Sequence, residues 1–152
     1  MRSSRVALAA LMAVTILALG AGCGGGKKAS TTTSGPTAQQ QIRQTWTSFF
    51  SGKTAPEDKL KLLQNGERFS SLVKVADANP LAKQTSATVS KVTLQGPSKA
   101  SVVYTVDIAG KPVLKNRTGV AVKENGVWKV GDQSFCALVS LEGTKTAACP
   151  GS

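Results

Sequence analysis

The chain has 152 residues, so once an N-terminal leader is set aside it holds one domain of roughly 115 residues and not two. Nineteen Lys and Arg against 8 Asp and Glu give a net charge of +11 and favour acidic partners, yet one Tyr, two Trp and four Phe are too few to interleave with the lysines as base-stacking platforms, so no nucleic-acid partner is expected. There is no histidine, which removes the commonest general base, the commonest metal ligand and the usual partner of a Ser or Cys nucleophile; neither catalytic residues nor a metal or cofactor is expected.

Met1 to Arg5 is a short positive start, Val6 to Leu19 is apolar except for Thr15, and Gly20, Ala21 and Gly22 lead into Cys23. That pattern reads as a signal peptide over residues 1–22. It is short for a membrane span, and Gly24 to Gly26 break any helix that continues it. The stretch before Cys23 resembles the lipobox of bacterial lipoproteins, in which the cysteine is acylated and becomes the new N-terminus. Gly20 stands where that motif has an aliphatic residue, so cleavage without lipid and free secretion is the alternative. Cysteine counting points the same way as the lipobox: with Cys23 lipidated, Cys136 and Cys149 remain to form a disulfide in an oxidising compartment. Residues 23–36 follow as the lipidated cysteine and a Lys, Ser, Thr and Gly tether. Loss of Arg2 and Arg5 with the signal leaves the mature chain at +9.

A helical pattern begins at Thr37, which with Gln40 makes a capping box, and Ile42, Trp46, Phe49 and Phe50 share one face. Gly52 ends it. Thr54, Pro56 and Glu57 open a second short helix carrying Leu60 and Leu63, stopped by Asn65 and Gly66. Phe69, Leu72, Val73 and Ala76 mark a third, halted at Asn79 and Pro80. From Ser86 the period changes to two, most clearly at Ala100, Val102, Tyr104, Val106 and Ile108, and Gly96–Pro97, Gly110 to Pro112 and Asn125–Gly126 divide the stretch into four strands. Helices followed by antiparallel strands predict an α+β domain over residues 37–152, its N-terminal helices packed on a curved four-stranded sheet.

Thr45 to Gly66 (TWTSFFSGKTAPEDKLKLLQNG), Pro80 to Leu94 (PLAKQTSATVSKVTL) and Gly119 to Leu141 (GVAVKENGVWKVGDQSFCALVSL) resemble the C-terminal domain of the mycobacterial low-molecular-weight secreted antigen family. The FF-x-G-x-T, L-x-N-G, G-V-W-K-V and S-F-C-A-L elements occur in order between about Ala38 and Pro150, and Cys149 lies where the family places its second half-cystine. The resemblance implies a cone-shaped fold similar to nuclear transport factor 2 and the cystatin-like group, an actinobacterial host and export. It implies no reaction.

Trp46, Phe49, Phe50 and Tyr104 are the candidate lining of a pocket or core, and the helical spacing of Trp46, Phe49 and Phe50 favours core. Tyr104 and Asp107 fall on opposite faces of a regular strand and so do not share a site. Asp132, after Gly131 and before Gln133 and Ser134, reads as a bend or bulge. The reading that follows is an exported, lipid-anchored, non-catalytic module that binds a small apolar ligand or an envelope protein. Two alternatives stand beside it: an enzyme using Asp107 or Asp132 alone as general base, and a basic adaptor holding anionic lipid or wall polymer through Lys111, Lys115, Lys123 and Lys129.

Overall fold

The computed structural model describes residues 35–141, 143 and 145–149. The signal peptide, Cys23 and the tether as far as residue 34 lie outside the described residues. Helix α1 spans Ala38–Phe50, and its capping box forms in full: Thr37 Oγ1 accepts the Gln40 N–H at 3.2 Å while Gln40 Oε1 accepts the Thr37 N–H at 2.7 Å. These bonds satisfy two amides that the first turn leaves without an intrahelical acceptor. The face bearing Ile42, Thr45, Trp46 and Phe49 is buried.

Helix α2 covers Pro56–Lys61, a 3-10 turn Gly66–Phe69 leads into α3 at Ser70–Ala78, and a second 3-10 turn spans Pro80–Gln84. Thr54 does not cap α2; Ala55 precedes the helix in extended conformation without a side-chain cap. The residue before a proline is held out of the helical region, and Pro56 then starts the helix with its preset φ. Leu63 lies beyond α2 and is fully buried.

Strands β1 (Thr85–Leu94), β2 (Lys99–Ile108), β3 (Lys111–Glu124) and β4 (Val127–Val130) form an antiparallel meander in the order β1-β2-β3-β4. Asn125 and Gly126, at φ 51° and 82°, make the tight β3–β4 turn. Both central residues of such a turn need positive φ, which Asn tolerates and Gly adopts freely. Register shifts between Val89 and Lys91, between Tyr104 and Val106, and between Val106 and Asp107 interrupt the ladders; extra residues of this kind bend a strand and increase its twist, so the sheet curls. The short edge strand β4 is covered by the segment after α2: Val130 N–H donates to Leu62 O and Gln64 N–H to Val130 O, each at 2.8 Å. A covered edge offers no template to a second chain.

The buried sheet face alternates along β2 as Ala100, Val102, Tyr104 and Val106, joined by Ala87 and Val89 of β1, Ala121 of β3, and Trp128 and Val130 of β4. These pack with Ile42, Trp46 and Phe49 of α1 and with Leu63, Phe69 and Val73 in one core. Trp46 meets Tyr104 edge-on with ring centroids 6.0 Å apart.

A fourth helix, α4, runs from Asp132 to Leu141. Asp132 is therefore the first residue of a helix and not a bend or bulge. Its carboxylate stands in the first turn, where the helix dipole favours negative charge, and accepts the Asn65 amide at 3.0 Å. The helix is fastened to β3 by Ser134, whose buried hydroxyl accepts the Val120 N–H at 2.7 Å. Cys136 on α4 is disulfide-bonded to Cys149, Cα atoms 5.4 Å apart, which ties the C-terminal segment back onto the helix.

Candidate functional site

One end of the core opens into a cavity of about 490 Å³. Its apolar walls come from six elements: Phe49 and Phe50 of α1, Val73 and Ala76 of α3, Leu81 and Ala82 of the second 3-10 turn, Val106 and Ile108 of β2, Val113 and Leu114 of β3, and Phe135, Leu138 and Leu141 of α4. Phe135 is wedged edge-on between Phe49 and Phe69, with centroids 6.0 Å and 5.0 Å away, so this wall is held from both sides. Phe50 lies 5.3 Å from the Tyr104 ring, which backs it from the core.

Among the described residues, the polar side chains that line it are Lys59, Asp77, Asn79 and Thr85. Asp77 accepts from Lys59 at 3.3 Å and from Lys83 at 2.7 Å, and the Lys59 and Asp77 side chains are each only 12% exposed. The Lys83 hydrogen bond, reinforced by Lys59, holds the Asp77 carboxyl below its ordinary range against the opposing effect of burial. The fold thus favours ionised Asp77, and the stabilisation it confers is present above the unfolded carboxyl value of about 3.9 and is lost as pH falls through the lower folded value. In acid titrations of unfolding, the stability gap between the native chain and Asp77→Asn should be full at neutral pH and close below about pH 4. A gap that stays constant down to complete unfolding would show that Asp77 does not act through its charge.

Of the four residues read from sequence as pocket or core lining, Phe49 and Phe50 face the cavity. Trp46 and Tyr104 are buried in the core and do not line it. Burial pushes the Tyr104 phenol above its ordinary value, with Arg117 acting the other way. Neither Asp107 nor Asp132 lines the cavity. The four lysines named for a basic surface do not gather on one patch: Lys111 and Lys123 sit near opposite ends of the long strand β3. Lys129 is paired with Glu124 at 2.6 Å, and the Lys123 ammonium lies 5.9 Å from the centre of the Trp128 ring.

Sequence reasoning missed Lys59 and Asp77, the charged pair at the cavity. A signal was present for Asp77: Phe69, Val73 and Ala76 set a helical stripe that continues onto position 77, and a carboxylate in an apolar stripe calls for a cation. Lys59, on a different short helix, carries no such mark. Among the described residues no three His, Cys, Asp or Glu side chains gather as a metal site.

A family model described as low molecular weight antigen MTB12, C-terminal domain, matches residues 34–146. The chain belongs to this family. No curated protein matches it. Among solved structures, a domain of unknown function with a cystatin-like fold from Nostoc punctiforme aligns with 72% of this chain and 84% of its own length, at 14% identity and a TM-score of 0.34.

In this antigen domain the motifs that carry the family likeness pack and close the fold. Phe49 and Phe50 fill core and cavity wall, and the Gly52 N–H donates to Thr85 O at 2.9 Å, tying the end of α1 to β1. At Gly66 an added Cβ would stand 2.0 Å from the Leu60 carbonyl oxygen, so only glycine fits. Trp128 and Val130 are buried on β4, and Ser134, Phe135, Cys136 and Leu138 supply the α4 fastening, the wall and the disulfide.

Proposed function

We propose that this antigen domain is an exported, non-catalytic binding module that holds a small apolar molecule in its cavity and is tethered to the outer face of the cell membrane by lipid on Cys23. The observation that carries the binding reading is the cavity itself. Its volume of about 490 Å³ falls within the range of roughly 300 to 1,000 Å³ usual for small-molecule sites, and an apolar wall with a few convergent polar groups is how such sites are built. A non-catalytic role is supported by the state of the one carboxylate at the cavity, Asp77, which is engaged by two lysines and poorly placed to take a proton. Export is supported by the signal pattern of residues 1–22, by membership of an antigen family and by the Cys136–Cys149 disulfide, a bond that persists in oxidising compartments.

The neutral fluorophore N-phenyl-1-naphthylamine, titrated into lipid-stripped protein, should brighten and saturate at one equivalent. Ala76→Trp, which places an indole at the exposed lip of the cavity, should weaken that binding at least tenfold while the far-ultraviolet circular dichroism stays unchanged. Equal binding by both proteins would place the probe elsewhere and remove the cavity reading. For the anchor, Cys23→Ala should move the protein from the detergent phase to the aqueous phase on phase partitioning; retention in the detergent phase would contradict lipidation.

A further inference from the structure

The charged and amide side chains at the cavity leave mainly N–H groups to offer a ligand. Asp77, the sole carboxylate lining it among the described residues, already accepts from two ammonium groups. Asn79 spends its side-chain oxygen on the Leu81 N–H at 3.0 Å, which leaves its NH₂ as the group it can offer. Thr85 is the exception: it donates its hydroxyl hydrogen to Leu81 O at 3.2 Å and keeps only acceptor capacity. Lys59 and Lys83 each have three N–H groups and each directs one at Asp77. Lys83 does not itself line the cavity but stands 2.7 Å from the Asp77 carboxylate that does, so beside the mouth two cations, Lys59 and Lys83, face one anion.

The apolar surface also does not stop at the cavity wall. Leu81, Val113 and Leu141 line the cavity and are still 51%, 51% and 53% exposed. Large aliphatic side chains from three separate elements, half in water around one opening, form an apolar rim of the sort that marks a binding site rather than scattered surface residues.

We propose that the cavity takes a single-chain anionic amphiphile, its alkyl chain running from the rim into the Phe50, Leu114 and Leu138 wall and its carboxylate or phosphate head meeting Lys59, Lys83 and the Asn79 amide. The proposal rests on the cavity-binding reading and adds the chemistry of the ligand. Charge complementarity selects the occupant: an alkylammonium would face two lysines, and an alcohol would gain nothing from the surplus charge. Lys59, held mostly out of water, gives a head-group contact that salt screens less than it would a surface pair.

Isothermal titration calorimetry of the mature, lipid-stripped protein with hexadecanoate, hexadecyl phosphate, hexadecan-1-ol and hexadecyltrimethylammonium, all below their aggregation limits, tests it. At least one anion should bind tenfold or more tightly than the alcohol, and the ammonium should bind most weakly. Lys83→Ala alters a side chain 58% exposed, so the fold should survive, and it should bring the favoured anion down to the alcohol's affinity while leaving the alcohol unchanged. Which anion is preferred tells a free fatty acid from a phosphate-headed lipid, and either upholds the proposal. Equal affinity for anion and alcohol, or an anion preference that Lys83→Ala leaves intact, overturns it while the apolar-cavity reading stands. Failure of all four chains to bind overturns both.

Discussion

Trp46→Ala is expected to cost the domain about 3–5 kcal/mol, a large share of the roughly 5–15 kcal/mol that holds a domain of this size together. Trp46 is fully buried between α1 and the sheet, edge-on to Tyr104, and a Cβ built on Gly119 would stand only 3.1 Å from its ring. Atoms that close in from two strands and a helix cannot all collapse into the space an alanine leaves, so the transfer loss is compounded by a cavity. The midpoint of thermal unfolding should fall by roughly 15 °C. Trp46→Phe should cost markedly less, because it keeps most of the ring, and the indole N–H it discards has no hydrogen-bond partner among the described residues. A Trp46→Ala midpoint within a few degrees of the native chain's would mean that α1 does not pack on the sheet as described.

Reducing the Cys136–Cys149 disulfide is expected to remove about 3 kcal/mol, the loop-closure value for a bridge between cysteines 13 positions apart. The loss should be focused on the cavity. α4 supplies Phe135, Leu138 and Leu141 to the cavity, and the disulfide pins the C-terminal segment onto that helix, where Arg68 Nη2 also donates to Ala148 O at 3.0 Å. Urea unfolding with and without reductant reads the global term, and the cysteine pair replaced by Ser reads it without redox chemistry. Both should also weaken binding of the fluorescent probe. Unfolding curves that superimpose in the two redox states would contradict the assignment of the bond.

The sheet was legible in the residues. The alternation from Ala100 to Ile108, and the Gly-Pro, Gly-Lys-Pro and Asn-Gly punctuation, marked four strands, because a half-buried strand must alternate and a tight turn must use residues that tolerate its angles. Helix α1 was equally plain from its capping box and apolar stripe. Helix α4 was not. Asp-Gln-Ser-Phe-Cys-Ala-Leu-Val-Ser-Leu is apolar along most of its length, and such a run has no period that tells a helix from a buried strand. The identity of the cavity's polar groups was hidden for a different reason. Lys59 and Asp77 stand on separate short helices, and only the packing of α2 against α3 brings them within 3.3 Å. The aromatic residues could be named as pocket or core without being sorted, since Phe50 and Trp46 both occupy the inward face of α1 and only the position of the opening separates them.

A ligand in the cavity would be seen by mass spectrometry of the protein purified from its own host in mild detergent. The native mass should exceed the denatured mass by one discrete small molecule whose fragments show a single alkyl chain and an acidic head, and the adduct should be missing from Ala76→Trp prepared the same way. The denatured mass should itself carry the acyl groups on Cys23. Native and denatured masses that agree in both proteins would contradict the cavity-binding reading.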